Sequence, residues 1–277
     1  MPCLVNVLMP DGTLTGVSYA GDSLTETAQY EPHDGVYTIT NTYQTYKVLK
    51  LKAHLDRLED SAKRANIPLQ LQRPALRAAL RQMIASAGWG DVRFRITVGA
   101  DQPDKLILSI EPFKPISQDL LTQGVRCITA PNSARHNPEA KTTDWMHQRT
   151  VLQNAMPSGI YDTFLLDANG YLLEGLASNF YAIREGTLHT AEDGVLKGIS
   201  RQVVLEVALP LLPISLTPVH VDDIPRLQEA FLSSSSRGIV PIVEIDGTPI
   251  GTGAVGERTK ALRHAYDTWV QANLEEL

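Results

Sequence analysis

Four short stretches of the chain carry side chains whose types and spacing suit chemistry. "PEAKTTDW" sets Lys141 in a segment with no strong helix signal. "LLDANGYLLEGLASNFYAI" puts Glu174 at the end of a hairpin strand, followed by Ser178-Asn179. "VLKGISRQVVLEVAL" has Gly198 directly before an amphipathic helix that Ile199 and Ser200 open, and the unpaired N–H groups and dipole of such a helix start favour an anion. "FLSSSSRGIVPIVEIDG" contains four consecutive serines, Ser233 to Ser236. A serine run suits a flexible linker, but the strand pattern "IVPIVEI" follows at once. The stretch therefore reads as a rigid turn, whose hydroxyls and amides at Ser234, Ser235 and Ser236 can hold a phosphate or a carboxylate.

Other patterns are weaker. Gly251, Gly253 and Gly256 spell G-x-G-x-x-G, but the remaining residues read as one helix, so the second parallel strand of a dinucleotide fold is missing. The histidines are scattered without metal-ligand spacing, and no metal is expected. Ser158 in "MPSGI" lacks the setting of a hydrolase nucleophile. Cys3 and Cys127 are too few for a disulfide framework and read as buried thiols of a reducing, cytoplasmic compartment.

The elements that position these groups are legible as a mixed pattern. Strands are expected at 3–9 and 13–18 around Asp11-Gly12, in "DGVYTITNTYQTY", in "VRFRITVG" and in "KLILSIEPF". Leu51, Leu55, Leu58, Ala62 and Ala65 give one apolar helix face, with His54, Arg57 and Lys63 on polar faces. A second helix runs from Pro74 to a stop at Gly88. Further on, Asn169-Gly170, Glu185-Gly186 and Asp246-Gly247 mark hairpins, and helices are expected at 200–209 and 257–273. Strands and helices mix without regular βαβ alternation, so the fold class is α+β. The polar segment 111–119, with two prolines, marks the boundary between a smaller N-terminal α/β domain (1–113), a loop (114–120) and a larger C-terminal domain (121–277). With 277 residues, 43% hydrophobic and 20% charged, the chain has the composition of a globular protein. A net charge of −6 without Lys/Arg runs speaks against nucleic acid, and the start of the chain lacks a signal-peptide pattern. No apolar run reaches the roughly 18 residues of a membrane span.

With "HDGVYT" and "LKAHLDRLEDSAKRANIP", the four stretches resemble the class IV aminotransferases, the fold-type IV pyridoxal-phosphate enzymes, from about Asp34 to about Arg258. The resemblance implies two α/β domains with pyridoxal 5′-phosphate at their interface, and a homodimer. It implies that Lys141 forms the imine with the cofactor aldehyde, and that Glu174 faces the pyridine nitrogen and keeps it protonated. Arg57, Ser178, Asn179, Leu196, Gly198, Ile199, Ser200, Ser234 and Ser235 complete the expected cofactor set. Tyr37, Ile39, Arg93, Arg95 and Ser236 are the expected substrate contacts. The implied reaction moves an amino group from an amino acid or amine to a 2-oxo acid.

Substrate class stays open at this stage. Val98 falls where D-amino-acid enzymes carry their carboxylate arginine, and Met146 where branched-chain enzymes carry a tyrosine. The main alternative is a lyase resembling aminodeoxychorismate lyase, releasing pyruvate through the same Lys141, which Thr38 echoes. A non-enzymatic protein binding the cofactor or a small anion is a further alternative.

Overall fold

A computed structural model describes residues 2–277. In chain order the elements are β1 (Leu4–Leu8), β2 (Leu14–Gly16), α1 (Leu24–Thr27), β3 (Gly35–Tyr43), β4 (Lys47–Leu49), α2 (Leu51–Arg64), α3 (Arg73–Ala87), β5 (Val92–Gly99) and β6 (Leu106–Pro112). Then follow α4 (Gln118–Gln123), β7 (Val125–Ala130), α5 (Thr143–Asn154), β8 (Asp162–Leu166), β9 (Leu172–Gly175), β10 (Ser178–Arg184) and β11 (Thr187–His189). The chain ends with α6 (Ile199–Ala208), β12 (Ile214–Ser215), β13 (Glu229–Ser234), β14 (Gly238–Ile245), β15 (Thr248–Pro249), α7 (Glu257–Ala272) and β16 (Leu274–Glu276).

The chain divides into two compact units that are not contiguous in sequence. Unit 1 comprises 1–114, 140–148 and 273–277, and unit 2 comprises 115–139 and 149–272. Lys141 and the C-terminal strand therefore group with the N-terminal unit, whereas a contiguous boundary near 114–120 leaves them with the other half. Residues 118–120 of the expected loop fall in the short helix α4 (Gln118–Gln123), capped by the Ser117 hydroxyl.

Unit 1 is built on a seven-stranded antiparallel sheet in the order β16-β4-β3-β5-β6-β1-β2. Alternation along β3 and β5 sends Val36, Phe94, Ile96 and Val98 to one face. There they meet Leu51, Leu55, Leu58 and Ala62 of α2 and Leu76, Leu80, Met83 and Ile84 of α3. Each fully buried leucine contributes roughly 1.5–3 kcal/mol. Helix α3 stops where Gly88 adopts φ 64°, a left-handed cap that glycine tolerates best. The other sheet face carries Tyr37, Ile39 and Arg95, and there Ile39 packs in a small cluster with Cys3, Val5 and Leu24 of α1. The C-terminal strand β16, unforeseen because its three residues are too short for a periodic signal, is held by Arg77 and Arg81 on α3.

In unit 2 the strands β10, β13, β14, β7, β8 and β9 pair in that sequence, and β9 pairs again with β10, so the ladder closes into a ring. A closed ring has no open edge. Phe164, Leu172, Phe180, Leu232, Val240 and Ile242 belong to its core cluster, with Phe164 and Phe180 ring centroids 4.7 Å apart. Helices α6 and α7 pack outside on β13 and β14. The hairpins at 185–186 and 246–247 place both turn residues at positive φ, the geometry expected of X-Gly turns.

Gly35, at the start of β3, leaves no room for a side chain. An added Cβ would press on the Val98 carbonyl oxygen and lie 3.1 Å from Thr143 Oγ1. Gly35→Ala is expected to lower stability by about 1–3 kcal/mol in denaturant unfolding. An unchanged midpoint would contradict this packing.

Candidate active site

Lys141 is fixed through its backbone. Its carbonyl accepts the Tyr37 N–H at 3.0 Å, and its N–H donates to Ser61 Oγ at 3.1 Å. Thr142 bridges Val36, and Thr143 Oγ1 accepts the Gly35 N–H at 2.8 Å while donating to the His33 carbonyl at 3.1 Å. Residues 141–142 thus lie along β3 as an extra rung, and α5 begins at Thr143. From this anchor the Lys141 amine sits 4.6 Å from the centroid of the buried Tyr37 ring.

Helix α2 turns a polar stripe toward this segment: His54, Arg57 and Ser61 recur at helical spacing. His54 was expected on a polar face but is 1% exposed, with Nδ1 sharing a 2.9 Å hydrogen bond with Thr38 Oγ1. Burial pushes its pKa well below the ordinary 6.5, and the charges of Arg57 and Lys141 push the same way, so His54 is neutral. Thr38 alternates with Tyr37 and is occupied by His54, so the hydroxyl that echoes a lyase is turned to α2.

Arg57 offers the clearest vacancy for an anion. Its Nε is buried without a hydrogen-bond partner, and among the described residues no carboxylate pairs with it. Burial drags its pKa down to about 10, against the opposing effect of Tyr37. A guanidinium desolvated without a counter-ion is costly unless a bound anion supplies one. The residues thus fit a phosphate.

The expected substrate arginines differ sharply. Arg95 is spent within the fold: Nε donates to Glu31 Oε1 at 2.7 Å, Nη1 to the Leu24 carbonyl at 2.7 Å, and Nη2 to Thr27 Oγ1 at 3.3 Å. The expectation that Arg95 clamps a substrate carboxylate thus meets a buried ion pair that pins α1 over the sheet. Ile39, its cross-strand neighbour, packs into the same covered face. Arg93 keeps a 37% exposed side chain and lies 3.4 Å from Glu111.

In unit 2 the sheet register lines up a polar row. Glu174 is the cross-strand partner of Asn179, and Asn179 of Ser233, so the three side chains share one face of β9, β10 and β13. The backbone of Leu196 spans two of them, its N–H donating to Glu174 Oε2 at 3.0 Å and its carbonyl accepting from Asn179 Nδ2 at 2.9 Å. Gly198 caps α6 against Asn179, where a Cβ would collide with Oδ1. That brings the amides of Ile199 and Ser200 beside the row. Ser200 Oγ accepts from the Tyr266 hydroxyl at 3.0 Å. Arg135, unforeseen in sequence, pairs with Glu174 at 3.1 Å with both side chains 5% exposed.

The serine run is ordered, as the strand that follows it foretold. Ser233 and Ser234 end β13, Ser235 to Arg237 turn, and Gly238 starts β14. Ser233 shares a 3.0 Å hydrogen bond with the Tyr181 hydroxyl, and Ser234 Oγ accepts from Arg237 Nε at 2.8 Å. Ser178, expected in the cofactor set, is engaged within the fold. Its hydroxyl donates to buried Asp162 at 2.8 Å, and Asp162 also takes the Leu176 N–H at 3.2 Å. Asp162 carried no sequence signal, because a strand-initial aspartate reads as turn chemistry. Among the described residues no cluster of His, Cys, Asp and Glu could hold a metal ion, and no helix is long and apolar enough to cross a membrane.

Comparison with known proteins gives a consistent picture. The family model described as amino-transferase class IV matches residues 35–245. A putative branched-chain-amino-acid aminotransferase of Methanocaldococcus jannaschii is 29% identical, over 84% of this chain and 86% of that protein. A D-alanine aminotransferase of Listeria innocua is 26% identical, over 86% of this chain and 87% of that protein. Among solved structures, a branched-chain amino acid aminotransferase from T.th. with pyridoxamine 5′-phosphate superposes with a TM-score of 0.84 at 21% identity, covering 100% of this chain and 99% of that one. The Escherichia coli branched-chain amino acid aminotransferase does so at 0.81 and 21% identity, covering 99% and 97%. These two likenesses concern the fold.

The neutral state of His54 has a pH consequence. Below about pH 6.5 the unfolded chain binds a proton at this imidazole that the folded chain refuses, so stability falls as pH drops. Between pH 7.5 and 5.5 the protein is expected to lose about 1.4 kcal/mol more than a His54→Asn variant in urea unfolding. Equal losses would contradict a neutral buried His54.

Proposed function

The chain belongs to the class IV aminotransferase family, and from that premise we propose that Lys141 is its reactive amine and that Arg57, Glu174 and the α6 start hold its cofactor. The protein is an aminotransferase fold-type IV enzyme, α+β in class, that works with pyridoxal 5′-phosphate on an amino acid and a 2-oxo acid. When bound, that cofactor supplies an electron sink for charge at the substrate Cα and carries the amino group between the two substrates.

The chain's own residues fill the remaining tasks. Lys141 would be the amine that tethers the cofactor, and it would take and return the proton at the substrate Cα as general base and acid. Glu174, held by Arg135 and the Leu196 N–H, would be the carboxylate facing the cofactor's ring nitrogen. Arg57, Gly198, Ile199, Ser200 and the serine turn receive the phosphate. Asn179 braces the Leu196 carbonyl, and so the α6 entrance. Tyr37 and Arg93 orient the substrate. The observation that carries the reading is the unpartnered Arg57 guanidinium on the helix that also anchors Lys141.

A lyase is not favoured, because the matched relatives are aminotransferases and Thr38 is engaged by His54. The reading includes a homodimer, implied by the family resemblance. It also includes a cytoplasmic location, which the two free, buried cysteines fit.

Two measurements test it. Lys141→Ala should cut kcat by at least about 10²-fold and abolish the visible colour of cofactor-loaded protein, and Glu174→Gln should reduce kcat with little change in cofactor content. Retained colour and turnover in Lys141→Ala would refute the lysine assignment. Second, an amino acid supplied alone should react once per active site and stop until a 2-oxo acid is added. Continuous pyruvate release without an acceptor would refute transamination.

A further inference from the structure

Ser61 is completely buried in α2, and its hydroxyl is the acceptor for the Lys141 backbone N–H. Lys141 follows a turn and lies two residues before α5 begins at Thr143. A buried amide needs a partner, and here a side chain provides it. The other end of the same residue is fixed by the Tyr37 N–H. Removal of the Ser61 oxygen would take away the hydroxyl that accepts the Lys141 N–H.

Ser61 also sits in a telling position on its helix. It follows Arg57 by four residues and His54 by seven, so the three side chains form one stripe facing the Lys141 segment. An unbonded serine inside a helix has lower helix propensity than alanine. Its hydroxyl here is aimed at the one residue whose amine must return to the same place twice in each catalytic cycle.

We propose that Ser61 is a positioning residue for amino-group transfer, its hydroxyl fixing the Lys141 main chain so that the side chain leaves over the Tyr37 ring. The inference rests on Lys141 being the reactive amine. Reacting groups displaced by about 1 Å can lose up to about 10²-fold in rate, so a lysine whose backbone rocks about its carbonyl bond is a poorer proton carrier.

Ser61→Ala removes one oxygen at constant shape and favours the helix, so the variant is expected to fold. Hydrogen exchange on the cofactor-free protein reads the contact directly. In Ser61→Ala the Lys141 amide should exchange at least about tenfold faster, while the Tyr37 amide and the rest of α2 keep their protection. In the loaded enzyme, kcat should fall roughly 10- to 100-fold with KM for both substrates within about twofold. The pH midpoint of its visible absorbance should also move. Unchanged exchange at Lys141 with unchanged kcat overturns the proposal. So does a loss of activity that merely tracks a lower melting temperature and faster exchange throughout α2. Lys141→Ala assayed alongside separates the two readings: if it stays active, the lysine assignment fails, and if it is dead while Ser61→Ala is normal, only the role of Ser61 fails.

Discussion

The backbone of one residue is the constraint on which the chemistry depends. Lys141 has both of its peptide groups paired, the carbonyl by the edge of β3 and the N–H by a hydroxyl from α2. A lysine side chain has four rotatable bonds and loses substantial entropy when ordered. Fixing its origin in the sheet reduces what remains to be fixed by the ligand. The surrounding features serve this anchor: Gly35 admits Thr143 close to β3, Thr143 ties back to His33, and α2 rests on a leucine-rich core that keeps the polar stripe in place.

Electrostatics divides the candidate residues into spent and available charges. Arg95 and Glu31 satisfy one another inside unit 1, and replacing either alone would strand a buried charge, typically at a cost of about 3–5 kcal/mol. Arg57 in the same unit has no such partner. In unit 2, Glu174 is held by Arg135 and by a backbone amide, while Asn179 and Gly198 shape the helix start beside it. A buried guanidinium without a protein counter-ion, as at Arg57, is a place where a bound anion can complete the structure.

Much of this was legible in the sequence because it has a local cause. The X-Gly hairpins follow from backbone sterics, α2 and α3 from apolar periodicity and caps, and the serine turn from the strand pattern that follows it. Lys141, Glu174 and Gly198 stood out through motif order. What was not legible depends on long-range pairing. His54 looks like a polar-face residue until Thr38 is placed beside it, and Ser61 looks like an ordinary helical serine until Lys141 arrives from 80 positions away. Arg93 and Arg95 look equivalent on one strand face, and only the return of Glu31 decides that one of them is buried. Ser178 follows the same rule, since Asp162 claims its hydroxyl across the barrel.

The most direct test of the central claim is chemical. Protein saturated with pyridoxal 5′-phosphate, reduced with borohydride, digested and mapped by mass should carry a single pyridoxyl modification, at Lys141. Modification at another lysine, or none at all, would contradict the account.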